Sequence, residues 1–310
     1  MKMKRLNQYY LSPASVNQLK EIQEIVSLCD IDEFETSEFE IDVKETWETT
    51  PLENTVVVTN DEQQIVGYGF VKEMGEGRLD SYGFVLPSQK GKGIGGLIID
   101  YLEQLGQKMI EQYKEKGIKY EFNNVIPFTS ESAKKLLTTK GYNFKRVYSL
   151  KSIDFEEPPK LMELPSNIQL KVCETKEDMR IVYDIYCDSF QDSNSFYPKP
   201  FDLWEEEKIK SSDDISLWYI AYLNLEPAGF IIGDKQPNKL WVDLLGTKRT
   251  ARKYGIGTIL LNKMFQEAFK RGLKTVSLTV DEYSLTNPSR LYAKAGMKTI
   301  FQVGMYEKNL

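Results

Sequence analysis

The chain has 310 residues, 41% of them hydrophobic and 28% charged, with a formal net charge of −6 and no histidine. Without an imidazole, Ser/His/Asp and Cys/His triads, His-x-Glu deaminase sites and nearly all catalytic zinc sites are excluded. The acidic balance argues against nucleic acid as a partner, which requires a concentrated basic face. The length suits two domains better than one.

The N-terminus, Met1-Lys2-Met3-Lys4-Arg5, carries the charge of a signal peptide, but Leu6-Asn7-Gln8-Tyr9-Tyr10 follows with no apolar core. No apolar run approaches the roughly 18 residues of a membrane helix. A cytoplasmic protein with no membrane partner is expected. Cys29, Cys173 and Cys187 are odd in number and widely spaced, which speaks against a disulfide framework or a cysteine-rich metal site and for buried packing.

The segment from Asp30 to Glu53 holds ten acids and one lysine; a solvated helical face is the first reading, and a site suited to a cationic amine is its alternative. Val56-Val57-Val58-Thr59 and Gln64 to Phe70 then form a hairpin around the polar turn Asn60 to Gln63. After the glycine turn Lys90-Gly91-Lys92-Gly93-Ile94-Gly95, residues Leu97, Ile98, Tyr101, Leu102, Leu105, Met109 and Ile110 recur at helical spacing. A strand ending at Glu121, a short helix around Ala133 to Leu137 and a closing strand complete the first half. Glu156-Glu157-Pro158-Pro159-Lys160 and Pro165-Ser166-Asn167 lack apolar periodicity and carry prolines, so they read as a linker between domains 1–157 and 158–310.

The second half repeats the order. Trp218 to Ala221, a turn at Asn224 to Pro227 and Ala228 to Ile232 form the hairpin; the aromatics Phe190, Phe196, Tyr197, Phe201 and Trp204, with Glu205 to Glu207, precede it, ordinary core packing being their first reading and a lid over an acceptor pocket the alternative. Arg252-Lys253-Tyr254-Gly255-Ile256-Gly257 is the glycine turn, and Leu260, Leu261, Met264, Phe265, Ala268 and Phe269 mark the helix. Thr275 to Val280 alternates as a strand. Val56 to Trp218 and Lys90 to Arg252 share one offset of 162 residues, the signature of a tandem duplication. Hairpins followed by alternating strands and helices predict an α/β (α+β) fold in each half, a mixed sheet with helices on both faces.

A strand that runs into glycines and then opens a helix leaves backbone N–H groups free at the positive end of a helix dipole. Such a turn binds anions, and Lys90, Lys92, Arg252 and Lys253 add positive charge. Gly91, Gly93 and Gly96 satisfy the dinucleotide fingerprint G-x-G-x-x-G, with Glu121 placed as a ribose-binding acid, so a nicotinamide-dependent dehydrogenase is one alternative. The second copy, with Thr258 and Ile259 after Gly257, does not satisfy it. Neither turn contains the Gly-Lys-Ser/Thr of an ATP-binding loop.

Val85-Leu86-Pro87-Ser88-Gln89-Lys90-Gly91-Lys92-Gly93-Ile94-Gly95 resembles the coenzyme-A signature of the GNAT (GCN5-related N-acetyltransferase) superfamily, Val-x-Pro followed by Arg/Gln-x-x-Gly-x-Gly/Ala, departing at Lys90. Arg252 to Gly257 matches the second part fully. Asn287-Pro288-Ser289-Arg290-Leu291-Tyr292-Ala293-Lys294-Ala295-Gly296-Met297 resembles the family's later motif, and two fused copies resemble the mycothiol synthase-like architecture. The resemblance implies two tandem acyl-CoA N-acyltransferase domains, each a mixed, mostly antiparallel sheet flanked by helices.

It further implies acetyl-CoA as co-substrate and no metal. The acceptor would be a small-molecule primary amine, or a peptide or protein amine, attacking the thioester directly. Cofactor contacts carry over to Leu245, Thr247, Arg252, Lys253, Tyr254, Gly255, Ile256, Gly257, Thr258 and Asn287. In the first copy they carry over to Val85, Lys90, Gly91, Lys92, Gly93, Ile94, Gly95 and Gly96. Tyr292 matches the tyrosine that protonates the departing thiolate; a packed aromatic is its alternative. The first copy has Leu137 there, which donates no proton, so the second copy is expected to carry the chemistry. Asp243, among apolar neighbours in the strand before the second glycine turn, is either the base or a strand-edge carboxylate facing solvent. Asp281 and Glu282 are weaker candidates, and Asn287 is alternatively a helix cap. A non-catalytic acyl-CoA-binding or regulatory protein remains an alternative function.

Overall fold

The computed structural model describes residues 4–6, 8–35, 49–74, 77–115, 117, 119–191, 196, 198–212, 214–284, 286 and 288–310. In chain order the elements are β1 (Lys4–Leu6), β2 (Tyr9–Ser12), α1 (Leu19–Phe34), β3 (Thr55–Thr59), β4 (Ile65–Glu73), β5 (Arg78–Val85), α2 (Ile94–Glu115), β6 (Glu121–Pro127), α3 (Glu131–Thr139) and β7 (Asn143–Asp154). There follow β8 (Ile168–Val172), α4 (Lys176–Ser189), α5 (Phe201–Ser211), β9 (Trp218–Leu223), β10 (Glu226–Lys235), β11 (Leu240–Thr247), α6 (Ile256–Lys270), β12 (Thr275–Asp281), α7 (Pro288–Lys294) and β13 (Lys298–Lys308). Glu121 begins a strand rather than ending one, which removes the acid expected at the end of the second strand of a dinucleotide fold.

Two compact units form, one from Met1–Val147 with Gln302–Leu310 and the other from Tyr148–Phe301. In unit 1, β1 to β5 are successive antiparallel neighbours, β6 lies parallel to β5, and Val303 to Lys308 of β13 run antiparallel to β6. In unit 2, β8 to β11 are antiparallel, β12 is parallel to β11, and Tyr148 to Asp154 of β7 run antiparallel to β12. Each unit has the mixed sheet that the sequence pattern predicts, mostly antiparallel as the resemblance implies.

The irregular, mostly exposed segment around Pro158 and Pro165 separates the two repeats along the chain. It does not separate the two units, because the closing strand of each repeat completes the sheet of the other. The predicted boundary at residue 157 therefore leaves Tyr148 to Asp154 on one side of the cut and their strand partners Asp281 to Thr275 on the other.

Strand periodicity builds the layers. Val56 and Val58 enter the apolar cluster shared with Ile94, Ile98 and Leu102 of α2, while Val57 joins Ile22, Ile25 and Val26 of α1. In unit 2, Tyr219 and Ala221 face Leu260, Met264 and Phe265 of α6, and Trp218 and Ile220 face Val182 and Ile185 of α4. Successive side chains point to opposite faces, so a strand covered on both sides must be apolar at every position. At the start of α4, Thr175 accepts from the Asp178 backbone N–H at 3.1 Å, and the Asp178 carboxylate caps the Thr175 N–H in return at 3.2 Å. No helix among the described residues is long and apolar enough to cross a membrane.

Burial decides the chemistry of two cysteines. Cys29 and Cys173 are 6% and 0% exposed, and desolvation pushes each thiol up to about 12. At pH 8 only about one molecule in ten thousand then carries either thiolate. Native protein treated with iodoacetamide at pH 8 should leave both unlabelled by mass spectrometry, and denatured protein should label at all three cysteines. Rapid native labelling of Cys29 would show that its surroundings open.

Candidate functional site

The two glycine turns share a backbone conformation that their sequences only partly share. Gly91 and Gly93 have φ of +81° and +83°, and the equivalent Lys253 and Gly255 have +72° and +79°. A Cβ added at Gly91, Gly93 or Gly255 would meet nothing within 4 Å, so glycine is required here by backbone conformation and the space beside it is open. Lys253 adopts the left-handed region despite its side chain, which costs about 1–3 kcal/mol. Neither α2 nor α6 has an acid in its first turn, and Gly255 caps α6 with no side-chain bond. The first amides, of Ile94, Gly95 and Gly96 and of Ile256, Gly257 and Thr258, are those an α-helix leaves without intrahelical partners.

Beside each turn two parallel strands begin paired and then part. β5 and β6 pair from Arg78 with Glu121 to Ser81 with Asn124, and β11 and β12 only at Leu240 with Val276 and Trp241 with Ser277, though all four strands continue. In unit 1, Ser81 Oγ donates to the Asn123 carbonyl at 2.7 Å and accepts from Asn124 Nδ2 at 2.9 Å where the pairing ends. The gap beyond opens into a cavity of about 340 Å³, walled by Val85, Lys90 and Gly91, by Gly93 to Gly96, by Ala133, Leu136 and Leu137 of α3, and by Cys29, Glu33 and Phe34 of α1. The Cys29 thiol donates to the Val85 carbonyl at 3.2 Å.

Lys90 is not directed at the turn. Its ammonium donates to Asp32 at 2.6 Å and also to Glu33. Burial alone would push its pKa down; hydrogen bonds to the two carboxylates outweigh this and hold it above the ordinary lysine value. Lys92 donates to Gln89 Oε1 at 2.8 Å. In unit 2, Arg252 donates to the Ser189 carbonyl at 3.1 Å and Tyr254 is exposed. Ile256 is buried, Leu245 packs half-buried against the α6-side cluster, and Thr247 Oγ1 lies beside Gly257. Asn287 lies outside the described residues, as do Tyr197 and most of the acidic segment after Glu35.

The position of Tyr292 can be checked internally. A Cβ on Gly95 would come within 3.2 Å of Leu136 Cδ2, and one on Gly257 within 3.2 Å of Leu291 Cδ2, so Leu136 and Leu291 are equivalent. The next residue is Leu137 in unit 1 and Tyr292 in unit 2, as the motif comparison places them. Tyr292 is 7% exposed within the α6-side apolar cluster, and burial pushes its phenol up to about 12. Glu282 accepts from Ser289 Oγ at 2.5 Å and from Ser149 Oγ at 2.6 Å, and pairs with Lys151 at 3.1 Å. Burial pushes the Glu282 carboxyl up, but these partners together hold it below the usual range. Glu282 thereby ties the start of α7, three residues before Tyr292.

Asp243 occupies a β-bulge. Ile232 pairs with Leu244 and Gly233 with Val242, leaving Asp243 as the extra residue on β11, whereas β5 pairs with β4 without interruption from Gly67 with Val85 to Glu73 with Leu79. A bulge turns an additional side chain onto one face. Here Asp243 joins the α5 side, where it accepts from Lys208 Nζ at 2.5 Å beside Trp218, Ser212 and Trp241 in a hollow of about 80 Å³. Asp243 and Tyr292 thus belong to opposite faces of the unit 2 sheet. Sequence reasoning did not find Lys208, Glu33, Ser81, Asn124 or Val303, which lines the unit 1 cavity from the far end of the chain. Only the pairing of Lys90 with acids had a signal, the excess of carboxylates before it.

A parted parallel pair over a positive-φ glycine turn at a helix N-terminus, present twice, defines the acyl-CoA N-acyltransferase class of fold. Residues 179–297 match the acetyltransferase (GNAT) family model. The whole chain resembles a GCN5-related N-acetyltransferase from Sphaerobacter thermophilus, with 23% identity and a TM-score of 0.87 over 98% of this chain and 96% of that one. It also resembles a tandem GNAT protein from the clavulanic acid biosynthesis pathway, with 12% identity and a TM-score of 0.70 over 97% and 98% of the two chains. A putative acetyltransferase from Pyrococcus horikoshii matches at 12% identity and a TM-score of 0.58 over 99% and 91%. Residues 179–297 therefore carry the likeness to the GNAT acetyltransferase family, and the chain as a whole shares the fold of the solved structures it resembles.

Proposed function

We propose that the protein is an acetyl-CoA-dependent N-acetyltransferase whose chemistry resides in unit 2, with acetyl transfer to a primary amine in a ternary complex. The observation that carries this reading is the equivalence of Leu136 and Leu291 over the two glycine turns, which leaves a phenol in unit 2 where unit 1 has Leu137. The residues fit the co-substrate. Open positive-φ turns with free helix amides suit a pyrophosphate, and parted strands suit a narrow arm ending in a thioester.

In this reading the amides of Gly255 to Thr258, with Arg252 and Lys253, hold the pyrophosphate, and Leu245 and Thr247 flank the arm. Asp243, presented by the bulge on the α5 side, accepts the ammonium proton once Lys208 gives way. The freed amine attacks the thioester carbonyl, the C–S bond breaks as Tyr292 donates its proton to the departing thiolate from the opposite face, and the proton that the nitrogen sheds on becoming an amide is returned through water to the phenolate. A phenol held near 12 remains protonated at neutral pH, as a proton donor requires. Unit 1 would bind coenzyme A with no acid to assist departure.

The test is release of free thiol from acetyl-CoA in the presence of a panel of small primary amines and lysine-bearing peptides. The reading expects release dependent on both acetyl-CoA and at least one amine, reduced by Asp243→Asn. Acetyl-CoA binding without release across the panel would favour a non-catalytic acyl-CoA-binding protein, which the unit 1 cavity beside Leu137 already suits.

A further inference from the structure

The loop cation of unit 1 is engaged elsewhere. Lys90 Nζ is held by Asp32 and Glu33 at the last turn of α1, while the equivalent Arg252 donates to the carbonyl of Ser189 at the last residue of α4. Both units therefore tie the head of the glycine turn to the end of the same helix, but unit 1 does so with two carboxylates. Those acids stand at the wrong end of a helix, where the dipole disfavours negative charge, and α1 has no basic residue in its last turn. Lys90 supplies the missing cation from outside.

Lys90 lines the same cavity as Gly91 and Gly93, where a pyrophosphate would sit. Glu33, Lys90 and Gly91 wall one cavity, so an incoming anion meets the carboxylate unless the lysine turns. Lys90 is 38% exposed along its side chain, and a four-carbon stem lets its charge be re-aimed without moving the backbone.

We propose that Asp32 and Glu33 compete with the coenzyme A pyrophosphate for Lys90, so that loading unit 1 releases two carboxylates which then take the ammonium of a cationic amine in its place. The proposal rests on reading the first glycine turn as a coenzyme A site. The carboxylates already hold one primary ammonium, that of Lys90, which identifies the chemistry they accept. Because coupling between two ligands is reciprocal, the amine and coenzyme A should each tighten the other in unit 1.

The experiment is calorimetric titration of coenzyme A into full-length protein carrying Gly255→Glu, which blocks the unit 2 turn, with and without Asp32→Asn and Glu33→Gln. Both replacements keep size and hydrogen bonding and remove charge from a helix end that disfavours it, so the fold is expected to persist. The double variant should bind about tenfold more tightly, and Lys90→Met should weaken binding. Added 1,4-diaminobutane should tighten binding by about threefold or more in the parent and have no effect in the double variant. Unchanged or weaker binding by the double variant, or a diamine effect that survives it, would overturn the proposal. Absence of coenzyme A binding in parent and double variant alike would instead remove the cofactor reading of the first turn.

Discussion

Tyr292→Phe should lower kcat by about 10²–10⁴-fold while leaving the dissociation constant for acetyl-CoA nearly unchanged. The substitution removes one hydroxyl and retains the ring, so the apolar packing of a side chain only 7% exposed survives. On the proposed mechanism what disappears is the proton for the departing thiolate, an interaction made in the transition state, and such a loss falls on kcat rather than on binding. The pH dependence follows from the same burial. With its pKa raised from the ordinary 10 to about 12, the phenol is fully protonated below pH 10 and loses its proton only as pH rises through 12. Stability held by the neutral buried phenol is present over the same range and lost in the same direction. Any alkaline fall in kcat below pH 10 must therefore arise from another group. Stopped-flow thiol release with wild type and variant, alongside calorimetric binding, separates the two effects; equal kcat values would make Tyr292 a packing residue.

Deleting Gln302–Leu310 should unfold unit 1, although these residues follow the whole of the second repeat. Val303, Met305 and Tyr306 are each at most 9% exposed, and burying such side chains contributes about 1.5–3 kcal/mol apiece. The deletion also unpairs β6 from Phe122 to Pro127 and removes the partners of Glu103 and Tyr120, Lys308 at 2.8 Å and the Leu310 carbonyl at 3.0 Å. Several kcal/mol is a large part of the roughly 5–15 kcal/mol that holds a domain folded. Hydrogen exchange should show lost protection in β4, β5 and β6 with β9 and β10 still protected. Lost protection confined to β12 would contradict the assignment of the last strand to unit 1. A fragment ending at residue 157 lacks the same strand and should fail to fold for the same reason.

That exchange marks where reading the sequence stops. The element order ends each half in a closing strand, but that order does not say which sheet edge the strand fills. The repeat itself was legible because turn chemistry is local: Gly93 and Gly255 need positive φ, and the apolar stripes after them need a helix. Lys253 shows the limit of that signal, since it adopts the conformation of Gly91 without being glycine. Asp243 stood out as a carboxylate among apolar residues, yet its bulge was invisible, because one extra residue is recognisable only against the partner strand β10. Glu33 lay in a segment with the composition of a solvated face. Its role as a partner of Lys90 depends on the packing of α1 against the end of β5, which composition does not encode.

The most direct measurement of the central claim is calorimetric titration of acetyl-CoA into the wild type and into Gly255→Glu, recording stoichiometry and affinity. At Gly255 a side chain would stand in left-handed backbone and place negative charge at the amides of α6. Two sites falling to one, with amine-dependent thiol release abolished in the variant, is the result the account predicts. No binding to the wild type, or thiol release unaffected by Gly255→Glu, would contradict a coenzyme A site and an acetyl-transfer centre in unit 2.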